Sequence, residues 1–321
     1  MVKRGNKWPG IWKRRLCALL LTAVLAVFVI PPAVLLAVVH QHIDYRGNTP
    51  LKEVHAAADY GLTETVHTLE TTDGETLWCA EVAAEESKAA VIFLAGITKP
   101  SVTQFYGHAA WLRELGFSSF LLEVRAHGYS SGNRIGLGYT ETADVQAAVE
   151  AIRSRPEYGE VPLLVWGVSM GGAIALNAFG RIPEIDGCIA MSPYASFPME
   201  IETQMKRYGV PKPIRELELW MLDGILTQLY GAETVETCAP EVQIQNAGER
   251  PVLLVACEKD LVVPVGNTYH LQAQNPAAEV WIRDSNDHFV VKDNDFSAFR
   301  EDAAYCGRIL TWLAEQGFAE A

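Results

Sequence analysis

The chain has 321 residues, 49% of them hydrophobic and 20% charged, with a net charge of −13. Such a composition buries a sizeable core, which excludes global disorder, and a single stretch is long and apolar enough to cross a bilayer, which excludes a multi-span membrane protein. Residues 1–39 hold six basic and no acidic side chains, so the remainder carries 20 basic against 39 acidic residues, a net −19; nucleic acid is therefore not an expected partner, because phosphate binding needs clustered Lys and Arg.

Residues 1–15 read as a basic cytoplasmic tail containing Lys3, Arg4, Lys7, Lys13, Arg14 and Arg15. Residues 16–39 run without a charge, long enough for a transmembrane helix with some tilt. Trp8 and Trp12 precede the run as interfacial residues do, and Pro31 and Pro32 are expected either to kink it or to mark where the helix is irregular. The basic cluster lies before the run, so the positive-inside rule puts the N-terminus in the cytoplasm and the rest outside. The alternatives are a cleaved signal peptide and a buried core helix. A signal peptide has a shorter apolar region and an Ala-x-Ala-like site, which residues 36–40 match poorly. The lipid bilayer is thus an expected partner, with an uncleaved signal anchor at 16–39.

Residues 40–61 read as a polar connector. The runs 64–70 and 75–82 flank Thr71-Thr72-Asp73-Gly74, a hairpin signal. Strands and helices then alternate. Strands are expected at 89–95, 117–124, 161–167, 185–191, 251–257 and 279–282, and helices at 102–115, 140–155, 169–180 and 295–316. Repeated strand–helix units imply a mostly parallel sheet with helices on both faces. The segment at about 193–250 breaks the rhythm with two helix-like stretches, 199–208 and 214–230, split by Pro211 and Pro213. It is too long for an ordinary connection and reads as a small helical cap. Its Trp220, Met221, Leu222, Ile225 and Leu226 either pack the cap or line an acyl pocket. Of the six cysteines none is spaced as Cys-x-x-Cys, and we read them as mostly reduced.

The central signal is Gly167-Val168-Ser169-Met170-Gly171-Gly172, which follows an apolar strand and opens a helix. Ser169 must sit on a sharp, strained turn that lifts its hydroxyl above the sheet, and glycines two residues either side keep that turn free of side chains. A serine hydroxyl needs a base to take its proton. His288 follows the last strand in a polar loop. His40, His42, His55 and His67 precede the core strands, while His108 and His270 lie on helices and His127 in a glycine-rich loop. Asp260 sits just past the strand at 251–257 and completes the order nucleophile, acid, base. A turn cap before Val263-Pro264 is the competing role for Asp260. Two backbone N–H groups, of Met170 and of Ile97 in Leu94-Ala95-Gly96-Ile97-Thr98, are the expected oxyanion hole. No cofactor motif is found, and His40-Gln41-His42 offers too few ligands to be read as a metal site.

Gly167-Val168-Ser169-Met170-Gly171-Gly172, Glu123-Val124-Arg125-Ala126-His127-Gly128-Tyr129-Ser130, Cys257-Glu258-Lys259-Asp260 with Val263-Pro264, and Asp287-His288 together resemble the α/β-hydrolase superfamily, and within it bacterial serine hydrolases grouped with prolyl-oligopeptidase-like and serine-aminopeptidase-like domains. The resemblance covers about 62–318 and implies an α/β-hydrolase domain over 62–321, with a serine esterase or short-peptide peptidase activity. Where that family often has His-Gly, Asp-x-Arg-Gly and a Gly before the Glu-Lys-Asp run, this chain has Ala95-Gly96, Glu123-Val124-Arg125-Ala126 and Cys257. The substrate expected is a small acyl ester or a short peptide. The rival is an inactive hydrolase fold used as a binding module.

Overall fold

The apolar runs become the strands of one sheet. In the computed structural model, which describes residues 8–44, 54–97 and 101–320, these are β1 (Thr65–Glu70), β2 (Thr76–Val82), β3 (Ala89–Leu94), β4 (Phe117–Leu122), β5 (Leu163–Val168), β6 (Gly187–Met191), β7 (Val252–Cys257) and β8 (Glu279–Arg283). Their order across the sheet is β1-β2-β4-β3-β5-β6-β7-β8, with β2 antiparallel to both neighbours and every later pairing parallel. Residues 1–7 of the expected tail (1–15), part of the connector (45–53) and Thr98 lie outside the described residues.

Helices cover both faces, as a parallel sheet requires. The helices of the described residues are α1 (Trp8–Val24), α2 (Ile30–Val39), α3 (Tyr106–Glu114), α4 (Thr142–Arg153), α5 (Met170–Arg181), α6 (Phe197–Arg207), α7 (Lys212–Tyr230), α8 (Ala232–Thr237), α9 (Pro240–Gln243), α10 (Gly266–Gln274) and α11 (Ala303–Glu315). Successive strand residues point to opposite faces, and β5 divides accordingly. Leu163 and Val165 join a core beneath α4 and α5, while Leu164, Trp166 and Val168 join the one beneath α3 and α11. The cap consists of α6 and α7, within the expected interval.

The expected helix at 295–316 is shorter. Asp302 ends the preceding loop: its carboxylate accepts from Tyr305 N at 3.1 Å, capping α11, and pairs with Arg283 at 2.7 Å. A side chain tied in both directions fixes the N-terminus of a helix more firmly than periodicity does. Arg125 makes a similar tie between distant elements. It bridges Asp73 in the β1–β2 turn and Asp144 on α4, at 2.6 Å to each.

The N-terminal helix is continuous over Trp12–Val39, 28 residues that include an 18-residue window of mean hydropathy 2.7. Its most apolar window is unburied, so it is not a core helix. A π turn, Leu25–Val29, joins α1 to α2 ahead of Pro31 and Pro32. Proline has no N–H and crowds the carbonyl four residues back, and a widened turn relieves that clash without breaking the helix. The end of α2 docks on the domain. Ile135 N donates to Val39 O at 2.9 Å, Ile43 N to Ala126 O at 2.8 Å and Gly128 N to Ile43 O at 2.8 Å. His42 lies against the carbonyls of Gly132 and Gly128. The first residues of the expected polar connector are therefore a strand-like clasp.

Candidate active site

Ser169 occupies the step between β5 and α5 with φ 58° and ψ −123°, a left-handed conformation that costs a non-glycine residue of order 1–3 kcal/mol. The two flanking glycines make it possible. A Cβ on Gly167 would lie 2.0 Å from Gly171 O, and one on Gly171 would lie 2.3 Å from Leu94 O. The turn is thus packed backbone to backbone against the end of β3. Met170 opens α5, where the first backbone N–H groups have no partner within the helix and the dipole favours negative charge.

Asp260 and His288 meet at the same end of the sheet, in the loops that follow β7 and β8. His288 Nδ1 lies 2.8 Å from Asp260 Oδ2, and the Asp260 side chain is fully buried. The other oxygen, Oδ1, accepts from Val262 N at 2.7 Å and Val263 N at 3.2 Å. One oxygen caps the turn and so aims the other at the imidazole. The nearby acids are otherwise engaged. Asp284 pairs with Lys259 at 2.5 Å, and Asp287 accepts from Asn294 Nδ2 at 3.3 Å. Ser169 Oγ and His288 share no hydrogen bond in this arrangement, and such contacts often tighten only around substrate.

Ile97 is half-buried in the loop after β3, close to the Ser169 turn through the Leu94–Gly171 contact. Its carbonyl lies 2.6 Å from His127 Nε2, which fits a ring N–H donor, while His127 Nδ1 lies 3.0 Å from Arg125 O. His127 thus ties the loop after β4 to the loop carrying Ile97. The sequence reading passed it over as a residue of a glycine-rich loop, and the signal that finds it is its place directly after Arg125-Ala126.

Two buried carboxyls have no role in the sequence reading. Glu123 receives Tyr129 N at 2.5 Å and lies so close to Gly128 that a Cβ there would sit 2.0 Å from its carboxyl. Burial pushes its pKa up to about 8. Glu200, on α6, accepts from Asn267 Nδ2 at 2.8 Å. Burial raises its pKa as well, with a smaller contribution from the charge of Asp260. Gln204 on the same helix donates to Val262 O at 2.8 Å, which places the cap helix beside the Asp260 loop.

Residues 85–237 match the model of the serine aminopeptidase family S33. Among curated proteins the chain is similar to the uncharacterized protein YqkD of Bacillus subtilis, at 25% identity over 64% of this chain and 67% of that one. It is also similar to the uncharacterized protein YfhR of Escherichia coli K12, at 25% identity over 60% and 61%. The chain thus spans about two thirds of those relatives. Among solved structures it is similar to the Pyrococcus furiosus esterase Pf2001, with TM-score 0.65 and 20% identity, covering 86% of this chain and 98% of that one. The Pyrococcus horikoshii acylaminoacyl peptidase matches with TM-score 0.58 and 12% identity over 81% and 42%. The chain is an α/β-hydrolase by fold, and its sequence likeness runs to the serine aminopeptidases of that superfamily.

Proposed function

We infer that the protein is a serine hydrolase, held in the membrane by its N-terminal helix, that cleaves an acyl ester. The observation that carries this reading is the 2.8 Å contact of His288 Nδ1 with the buried Asp260, at the sheet end where Ser169 stands on its strained turn. Asp260 orients the ring so that Nε2 is left for the serine. Nε2 accepts the Ser169 proton as Oγ bonds to the acyl carbon, and the carbonyl oxygen gains negative charge facing Met170 N–H and Ile97 N–H. When the tetrahedral adduct collapses, the alcohol leaves with the proton carried by His288. Water then adds to the acyl-enzyme by the same route and releases acid and free Ser169.

The helix over Trp12–Val39 supports anchoring by its length and unburied apolar surface, and the basic residues before it support a cytoplasmic N-terminus with the catalytic domain outside. A second reading, a peptidase acting on short peptides, is favoured by the description of the matching family. It uses the same residues and differs in the leaving group, an amine in place of an alcohol.

Labelling by a fluorophosphonate, which needs an activated serine, tests the nucleophile. Wild-type protein should label and Ser169→Ala should not, with both folded alike. A wild-type protein that stays unlabelled refutes the hydrolase reading, and a mutant that labels equally moves the nucleophile elsewhere. Rates on p-nitrophenyl esters against aminoacyl p-nitroanilides separate esterase from peptidase.

A further inference from the structure

Between the N-terminal helix and the cap runs a groove of about 510 Å³, within the range of small-molecule sites, roughly 300–1,000 Å³. Fifteen of its sixteen lining residues are apolar and the other is Glu218, whose pKa burial raises. One wall is the stretch from Ala26 to Val38 of the N-terminal helix, and the other is formed by α6 and α7.

The groove has a direction. The charge-free run starts at Leu16, and about 20 helical residues cross a hydrocarbon core of roughly 30 Å, so the span reaches about Leu35. On the membrane reading, Ala26, Val27, Pro31 and Pro32 then stand at the depth of the outer leaflet and Leu35 and Val38 at its surface, where Val39 docks on the domain. An apolar path so placed admits a hydrocarbon chain from the leaflet without exposing it to water.

The far wall also supports the candidate site. Phe197, Ile201 and Met205 line the groove from α6, four residues apart and so on one face of the helix. The neighbouring face of α6 holds the loop that carries Asp260. Gln204 Nε2 donates to Val262 O at 2.8 Å and Arg207 Nη1 to Leu261 O at 2.6 Å, while Glu200 senses the charges of Asp260 and His288. One helix therefore forms both a wall of the groove and a support of the Asp260–His288 pair.

We propose that this groove holds an acyl chain of a bilayer phospholipid or acylglycerol and guides its ester towards Ser169, which makes a membrane lipid ester the substrate class. The proposal rests on the serine-hydrolase reading for its chemistry but not for binding, and two measurements keep these apart. The first is the ratio of kcat/KM for p-nitrophenyl palmitate to that for p-nitrophenyl acetate, with full-length protein in detergent micelles. Ile225→Trp and Val34→Trp, which add bulk to opposite walls, should lower that ratio at least tenfold. The second uses wild-type protein in phosphatidylglycerol–phosphatidylcholine nanodiscs containing a phospholipid with a diazirine on its acyl chain. Crosslinks should map to the groove faces of α6 and α7, at residues such as Ile201 and Met205. A ratio that does not move in folded variants, or crosslinks confined to the outward residues Leu19–Leu21, overturns the proposal. If wild-type protein hydrolyses neither ester, the hydrolase reading fails, and the crosslink map alone decides the groove.

Discussion

The two edges of α6 are held in opposite ways. Towards the Asp260 loop it is fixed by directional contacts: Gln204 and Arg207 on the carbonyls of Val262 and Leu261, and Glu200 on Asn267. Towards the N-terminal helix it presents Phe197, Ile201 and Met205 to a groove with almost no polar lining. Hydrogen bonds set a geometry to a few tenths of an ångström, whereas apolar contact rewards area with little regard to direction. The same helix can thus hold a reacting group still on one side and leave room for a variable hydrocarbon on the other. The serine end of the sheet extends the first principle, and the cap and N-terminal helix extend the second.

Glycine substitution breaks the comparison most sharply. Gly171→Ala places a methyl 2.3 Å from the backbone carbonyl of Leu94, where neither β3 nor α5 can move. Overpacking of a rigid core costs typically 1–3 kcal/mol and sometimes more, and here the obstacle is backbone on both sides. We expect a loss of at least about 3 kcal/mol by that standard, read as a lowered denaturant midpoint or as insoluble protein. A variant as stable as wild type would show that the elbow is less tightly built than its contacts indicate.

Asp260→Asn should leave the fold intact and lower kcat by about three to four orders of magnitude, the scale on which a triad acid acts. Asp284→Asn and Asp287→Asn should each cost roughly tenfold or less on that scale, because Asp284 is exposed against Lys259 and Asp287 holds Asn294. Measuring kcat for the three on one ester decides between them. A mild Asp260→Asn beside a crippled neighbour would reassign the acid.

Glu123 tests the cost of the tightly bonded end. Its pKa is raised from the ordinary 4.5 to about 8 by burial, so in that window the folded protein keeps a proton that the unfolded chain releases. The stability associated with that proton is fully present below about pH 4.5 and is lost as pH rises through about 8. Wild-type protein should lose stability between pH 5 and 8, by at most about 1.4 kcal/mol per pH unit from this group. Glu123→Gln should flatten the dependence in parallel thermal melts. Equal slopes for the two proteins would mean that Glu123 is ionised in the fold.

What the sequence made legible follows the same division. The Ser169 elbow could be read because its constraints are local, two glycines within two residues of a strained serine, and the strands because buried parallel strands are continuous apolar runs. The order of Ser169, Asp260 and His288 anticipated their shared end of the sheet. The contact of His127 with Ile97, the clasp of Ile43 on Ala126 and Gly128, and the bridge of Arg125 from Asp73 to Asp144 join residues from 19 to 85 positions apart, and no local pattern encodes them. The helix expected at 295–316 was overlong for that reason, since Asp302 is committed to Arg283 on β8. Met221, Leu222 and Ile225 of the cap were visible as apolar, but only the fold shows that they face the N-terminal helix; Trp220 is exposed and Leu226 is buried away from the groove.

The mildest test applies the first substitution to the other region, where its sign should reverse. Gly224 lies within α7, exposed, with nothing within 4 Å of where a Cβ would stand. Its φ is not in the left-handed region, so alanine fits the existing backbone. Glycine in a helix interior is worse than alanine by roughly 0.5–1 kcal/mol, mostly because it gives the unfolded chain more freedom. Gly224→Ala should therefore raise stability by up to about 1 kcal/mol, visible as a small increase in the urea midpoint of detergent-solubilised protein, with ester hydrolysis preserved. The groove supplies a second readout, because α7 forms one of its walls. If the cap must flex at Gly224 for a long chain to enter, the stabilised variant should turn over p-nitrophenyl palmitate more slowly than wild type while p-nitrophenyl acetate is unaffected. A variant that is destabilised would mean that Gly224 adopts a second backbone conformation in solution, and that the apolar edge of the cap is conformationally more demanding than its open contacts indicate.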